Sequence, residues 1–189
     1  MIPVSGRKAI SLHLGLSLLA CLICAAAPLH AATGVLTSVG QVTGLSLVER
    51  QRGYRVAIRA TVTEYDVFRY RGGEYPNLFV HDNSGGICVR VGDRRFPLRP
   101  GDVVDLTGRT AQGPTAPVIQ DPEVRLVRHG ELPRALPASF PDLESGLRFS
   151  DFVEVHGNIR YVYTEGDWAT MDLFMDGGVV ELQIGRAHV

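Results

Sequence analysis

Lysine is almost absent: Lys8 is the only one in 189 residues, so every later Lys-or-Arg position is arginine. We take that as a coding bias before a functional signal. Cysteine is scarce as well, with three residues, and two of them, Cys21 and Cys24, lie in an apolar N-terminal stretch. So few thiols exclude a disulfide scaffold. An excess of one charge is also missing, because 19 Lys and Arg face 20 Asp and Glu for a formal net charge of −1. Such a balance gives no bulk attraction to nucleic acid or to an anionic membrane. What is present is a 45% hydrophobic share, ordinary for a globular chain and too high for a disordered one. The length allows one domain, or one and part of a second.

Arg7 and Lys8 precede an uncharged run from Ala9 to Ala27, and Pro28-Leu29-His30-Ala31-Ala32 ends it with small residues. A basic start, an apolar stretch and a small-residue exit are the parts of a secretory signal peptide. Residues 1–31 are therefore expected to be a signal, cleaved after Ala31 or Ala32, with the mature chain in the periplasm or on the extracytoplasmic face of the inner membrane. The alternatives are an uncleaved helical anchor and lipidation at Cys21 of Leu18-Leu19-Ala20-Cys21. Loss of Arg7 and Lys8 moves the net charge from −1 to about −3. It also leaves Cys88 as the single thiol, expected to be a buried apolar residue rather than a redox centre.

The remainder has the pattern of an all-β chain. Residues Tyr54 to Thr63 place β-branched side chains at alternate positions. Leu78 to Asp82 and Ile87 to Val91 flank Asn83-Ser84-Gly85-Gly86, which predicts a hairpin. Leu98 to Asp102 predicts a turn, Val103 to Gly108 a strand, and Val118 to Val127 a fifth element around Asp121-Pro122. Short helices are expected near Val39 to Arg52 and Asp142 to Leu147. Five short strands with a Gly-rich hairpin predict an OB-like five-stranded Greek-key barrel over residues 35–129.

Phe149 to Ile159 repeats the pattern of Tyr54 to Val62, with Val153, Val155 and Ile159 matching Val56, Ile58 and Val62. Phe174 to Leu182 echoes Val80 to Val89, paired glycines included. A truncated second OB-like repeat is therefore expected over 149–184, lacking two later strands. Residues 130–148, which include Pro133, Pro137 and Pro141, are expected to be a linker. The closing Ile184-Gly185-Arg186-Ala187-His188-Val189 breaks the strand pattern and is what one frame of a common sequencing adapter encodes. Residues 185–189 are expected to be non-native and the chain to be the front of a longer protein; a native stop codon directly after Val189 would sink that idea.

Leu36-Thr37-Ser38-Val39-Gly40-Gln41-Val42, Gly53-Tyr54-Arg55-Val56, Ala60-Thr61-Val62-Thr63, Leu78-Phe79-Val80-His81-Asp82, Gly85-Gly86-Ile87 and Leu98-Arg99-Pro100-Gly101-Asp102 occur in that order. Together they resemble the extracytoplasmic, OB-like N-terminal region of bacterial membrane-bound sensor histidine kinases and related signalling proteins. The resemblance spans roughly Leu36 to Leu182. It implies a sensory or interaction module joined to a membrane helix and cytoplasmic signalling domains, none of which is in this sequence. Kinase activity is implied only for the parent protein, and no catalytic residue carries over.

No catalytic constellation stands out. Ser84 lacks a G-x-S-x-G context, Gly85-Gly86 joins strands rather than opening a helix, and Glu64 and Asp66 are at a strand exit where solvated acids are the default. Asp82, Asp93, Asp102 and Asp105 lie near His81 in sequence, but no Cys or His pair has ligand spacing. We expect no metal and no cofactor. The candidate binding residues are Tyr65, Phe68, Arg69, Tyr70, Arg71 and Tyr75 in one loop, with His81 beside it. Interleaved aromatics and arginines suit single-stranded nucleic acid, yet the export signal and acidic charge make nucleic acid an unexpected partner. The expected function is thus a non-catalytic sensory module for a small ligand or a periplasmic protein, reaching the membrane only through missing downstream segments or an uncleaved anchor. The alternative is a secreted OB-fold nucleic-acid-binding protein or nuclease accessory domain.

Overall fold

A computed structural model describes residues 34–70, 73–166 and 168–185, without the side chains of 66–70 and 73–75. The expected signal peptide and most of the expected non-native tail lie outside these residues.

Alternation decides the first element. Along β1 (Arg55–Tyr70) the odd positions at its start face out, while Val56, Ile58, Ala60 and Val62 are at most 4% exposed. β2 (Gly73–Asp82) and β3 (Gly85–Arg90) form the expected hairpin, with Asp82 opposite Gly85. Gly85 takes φ 142° there, a conformation that glycine adopts without a Cβ penalty. β4 (Val103–Gln112) and β5 (Pro117–Arg128) form a second antiparallel pair. β5 then runs parallel to β3 at Cys88 and Val89, and β4 pairs with β1 from Arg55 to Thr61. The result is a closed five-stranded barrel of order β1-β2-β3-β5-β4, the OB-like architecture expected. Closure removes the strand edges and lets Leu78, Val80, Ile87, Val89, Val104, Leu106 and Ile119 fill one interior. At ~1.5–3 kcal/mol for each fully buried aliphatic side chain, this interior is the main stabilising term.

The expected helix near Val39 to Arg52 is two short ones, α1 (Val39–Thr43) and α2 (Leu47–Arg50). α1 buries Val39 and Val42 completely in the barrel core. Its free N-terminal donors go to the β2–β3 turn: the Val39 amide donates to Asp82 Oδ2 at 2.8 Å, and the Gly40 amide donates to Ser84 Oγ at 2.7 Å. Ser38 and Gln41 complete a capping box. Asp82, grouped by sequence with His81, is therefore a helix cap.

β1 is longer than its apolar pattern. Past Asp66, opposite Asn77, the β1–β2 pair runs on beyond the β3 ladder as a two-stranded arm, in which Phe68 is opposite Tyr75 and Arg69 opposite Glu74. At Asp121 the φ of 52° and a register shift between Thr107 and Arg109 interrupt the β4–β5 ladder. A Cβ on Gly108 would meet Ile119 Cγ2 at 2.6 Å, so this bend requires glycine.

The expected linker is not a plain connection. Leu136 pairs with β7 (Val153–Glu154) through β6 (Leu136–Pro137), its amide donating to the Phe152 carbonyl at 3.0 Å. Leu36 does the same to β1, donating to the Arg55 carbonyl at 2.8 Å. α3 (Phe140–Glu144) carries a Ser139–Asp142 capping box, as α1 carries Ser38–Gln41. Then β8 (Asn158–Glu165), β9 (Trp168–Met175) and β10 (Gly178–Ile184) make an antiparallel sheet of order β10-β9-β8. Its hairpin places Met175 opposite Gly178, with the Phe140 ring against Gly177 and Gly178. Leu136 thus begins its parallel pairing thirteen residues before the expected boundary at Phe149. The sheet is open, and it is not a second closed barrel.

Candidate functional site

The candidate residues fall into three environments. Tyr65 sits at the base of the arm and packs against the barrel core. Its hydroxyl accepts a hydrogen bond from the Phe96 amide at 3.1 Å, and its ring lies 6.4 Å from that of Phe96. Tyr65 therefore ties the β3–β4 connection to the arm. Phe68, Arg69, Tyr70 and Tyr75 belong to the arm, where the backbone register is set and the side chains are undescribed; Arg71 lies outside the described residues. The expected loop is thus a β-ribbon. Its sequence, rich in aromatics, arginines and glycines, lacks the β-branched alternation that marks the start of β1.

His81 is near the β2–β3 turn, opposite Gly86, and its side chain is 14% exposed with Nε2 3.8 Å from Asp151 Oδ1. That Nε2 has no hydrogen-bond partner among the described residues. Asp151 Oδ1 accepts instead from the Gly86 amide at 2.7 Å. A Cβ on Gly86 would overlap the Ser150 carbonyl. The segment that leads into the second sheet therefore lies directly on the β2–β3 end and covers His81. Sequence reasoning had no signal for this, since His81 and Asp151 are seventy positions apart (roughly half the chain of a ~150-residue domain).

The remaining carboxylates are dispersed. Asp102 is 1% exposed, its Oδ1 2.7 Å from His129 Nδ1 and its Oδ2 accepting from the Arg99 amide at 3.1 Å. Burial acts to raise its pKa, but the His129 and Arg99 hydrogen bonds and their charges outweigh burial and hold the carboxyl below the ordinary range. Asp105 is held low by hydrogen bonding and attraction to Arg59 and by Arg125. Among the described residues no three His, Cys, Asp or Glu side chains converge to hold a metal. Cys88 is 8% exposed in a small outer cluster with Ala111, Val118 and Phe79. Burial pushes its thiol up to about 11, so at neutral pH it is neither nucleophile nor ligand. That agrees with the expectation of a buried apolar cysteine.

No family model matches the chain, and no curated protein matches it. Solved structures do. One described as "Structure of murine DNA binding protein bound with ds DNA" is 15% identical, covering 69% of this chain and 74% of its own, with a TM-score of 0.40. Another, "Structure and Conformational Change of a Replication Protein A Heterotrimer Bound to ssDNA", is 17% identical over 76% of this chain and 40% of its own, at 0.34. A third, "Structural mimicry for functional antagonism", is 9% identical over 70% and 76%, at 0.39. Likeness this loose carries no argument about activity here.

These findings nevertheless correct three expectations. The resemblance to sensor histidine kinases finds no counterpart among the matches, two of which are described as bound to DNA. The sensory and signal-transduction function built on that resemblance is withdrawn with it. The exclusion of nucleic acid as a partner is overturned too. It rested on the export signal and on a net charge of about −3 after processing, and an average over the chain does not report where the arginines gather.

Proposed function

We propose that the barrel is a non-catalytic module that binds single-stranded nucleic acid. The observation that carries this is the arm: a β1–β2 ribbon projects from a closed β1-β2-β3-β5-β4 barrel. Its sequence runs Phe68-Arg69-Tyr70-Arg71-Gly72-Gly73-Glu74-Tyr75. In barrels of this order the strand 1–2 connection is one of the elements that grip an oligonucleotide. Aromatic rings accept stacked bases of any sequence, and arginines neutralise the backbone between them. The same chemistry explains why no acid–base pair or metal cluster is needed.

The open sheet β8–β10, with β6, β7 and α3, is part of this proposal as the opening of a second OB-like repeat. Its support is the recurring parallel bridge at Leu36 and Leu136 and the recurring capped helix. Two barrels in tandem would hold one strand at a high effective concentration for the second contact.

The test is fluorescence anisotropy with a labelled oligo(dT) of about 20 nucleotides at low salt. Binding that falls steeply with salt is expected. Replacing Tyr70→Ala and Arg71→Ala together should weaken it by about 30-fold, the loss of one stacked base and one phosphate contact. No binding at low salt removes the proposal.

A further inference from the structure

Resting on that function, we propose that the phosphate backbone runs across the outer face of β1, β4 and β5, and not along β2–β3. The alternation that sends Val56 and Ile58 inward sends Arg55 and Arg59 outward. Register then supplies their neighbours: Arg109 opposite Arg55, Asp105 opposite Arg59, and Arg125 opposite Asp105. Four guanidiniums from three strands share one face with two carboxylates, Asp105 and Glu123, the latter opposite Thr107.

The pairing is unbalanced. Arg59 Nε donates to Asp105 Oδ1 at 2.7 Å, and Arg125 also bonds to Asp105, so one carboxylate serves two cations that are 63% and 72% exposed. Arg55 and Arg109 face each other across strands, where like charges are destabilising. Arg109 donates to the Gly53 carbonyl at 3.1 Å, while the Arg55 guanidinium has no hydrogen bond or ion pair among the described residues. A phosphodiester oxygen between these two guanidiniums would relieve the opposition. Rows Arg55–Arg109 and Arg59–Asp105–Arg125 are about 14 Å apart along the strands, which about four nucleotides cover at ~3.4 Å each. Between them Ala57 and Thr107 help line a shallow groove of 320 Å³. The β2–β3 side, by contrast, is covered at one end by Ser150 and Asp151.

Two variants test the surface in the same oligo(dT) titration. Arg55→Ala with Arg109→Ala removes a like-charge pair, so the fold is retained, as a thermal melt checks. Affinity should fall about 10-fold at 50 mM salt, and the slope of log K on log salt should shrink by about 1.4, two phosphates at ~0.7 each. Asp105→Asn frees Arg59 and Arg125 and should tighten binding about 3-fold with a steeper slope. If the wild type binds but both variants match it, the surface is wrong while the function stands. If the wild type does not bind at all, function and surface fall together.

Discussion

The barrel and the open sheet begin alike and end differently. Each starts with a leucine bridged in parallel to the next strand, a capped helix of five residues, and a meander with a two-residue turn. In the barrel, β4 and β5 close the meander, and Val62, Val80, Val104 and Leu106 become fully buried. In the sheet, only Leu173 is buried among the hydrophobic residues of β8–β10, and Ile159, Tyr161, Val162 and Tyr163 are more than half exposed. A strand meander therefore acquires a core only when its two edges are brought together. Until then both faces and both edges meet solvent.

The widest gap between the two regions should appear in stability. Leu106→Ala, which opens a cavity in the closed core, is expected to cost about 2–5 kcal/mol. Val179→Ala on the exposed sheet should stay within about 0.5 kcal/mol. Urea denaturation followed by circular dichroism compares them, and equal losses would erase the distinction.

A smaller effect comes from the carboxylate buried at the start of β4. The Asp102 carboxyl titrates below its unfolded value, so its stabilisation is complete above the unfolded pKa of about 3.9 and is lost as pH falls through the folded value. Asp102→Asn should cost about 1–2 kcal/mol at pH 7, discounted for the exposed His129 ring. It should also flatten the acid side of the stability profile. Denaturation at pH 7 and pH 3 reads both, and an unchanged acid slope would exclude Asp102 as its source.

The least energetic comparison is chemical. Cys88, with its thiol near 11, should react with a disulfide reagent at pH 8 about 100-fold more slowly than an ordinary thiol of pKa ~8.5. A thiol introduced by Tyr163→Cys on exposed β8 should react at the ordinary rate. Similar rates at the two positions would mean that the barrel opens as readily as the sheet.

Much of the barrel was legible because its signals are local. The Asn83-Ser84-Gly85 turn announces the hairpin, and strict alternation from Arg55 to Val62 announces β1. The segment from Tyr65 to Tyr75 was read as a loop, because its mixed aromatics, arginines and glycines lack the β-branched alternation that marks Arg55 to Val62. The short strand at Leu136 and the helix that follows were not read within the expected linker, because its prolines argue against regular structure. Pro141 instead occupies the first turn of α3, where a missing amide hydrogen costs nothing. Of the candidate residues, Tyr65 and His81 were placed by partners far along the chain, Phe96 and Asp151, which no local pattern reports.

By itself the sequence determined which side chains of each strand point inward, because the period of two is a property of the extended backbone. Only the tertiary structure decided which outward side chains meet. Arg55, Arg59, Arg109 and Arg125 are dispersed in a chain of net charge −1, and barrel closure sets the register that gathers them on one face.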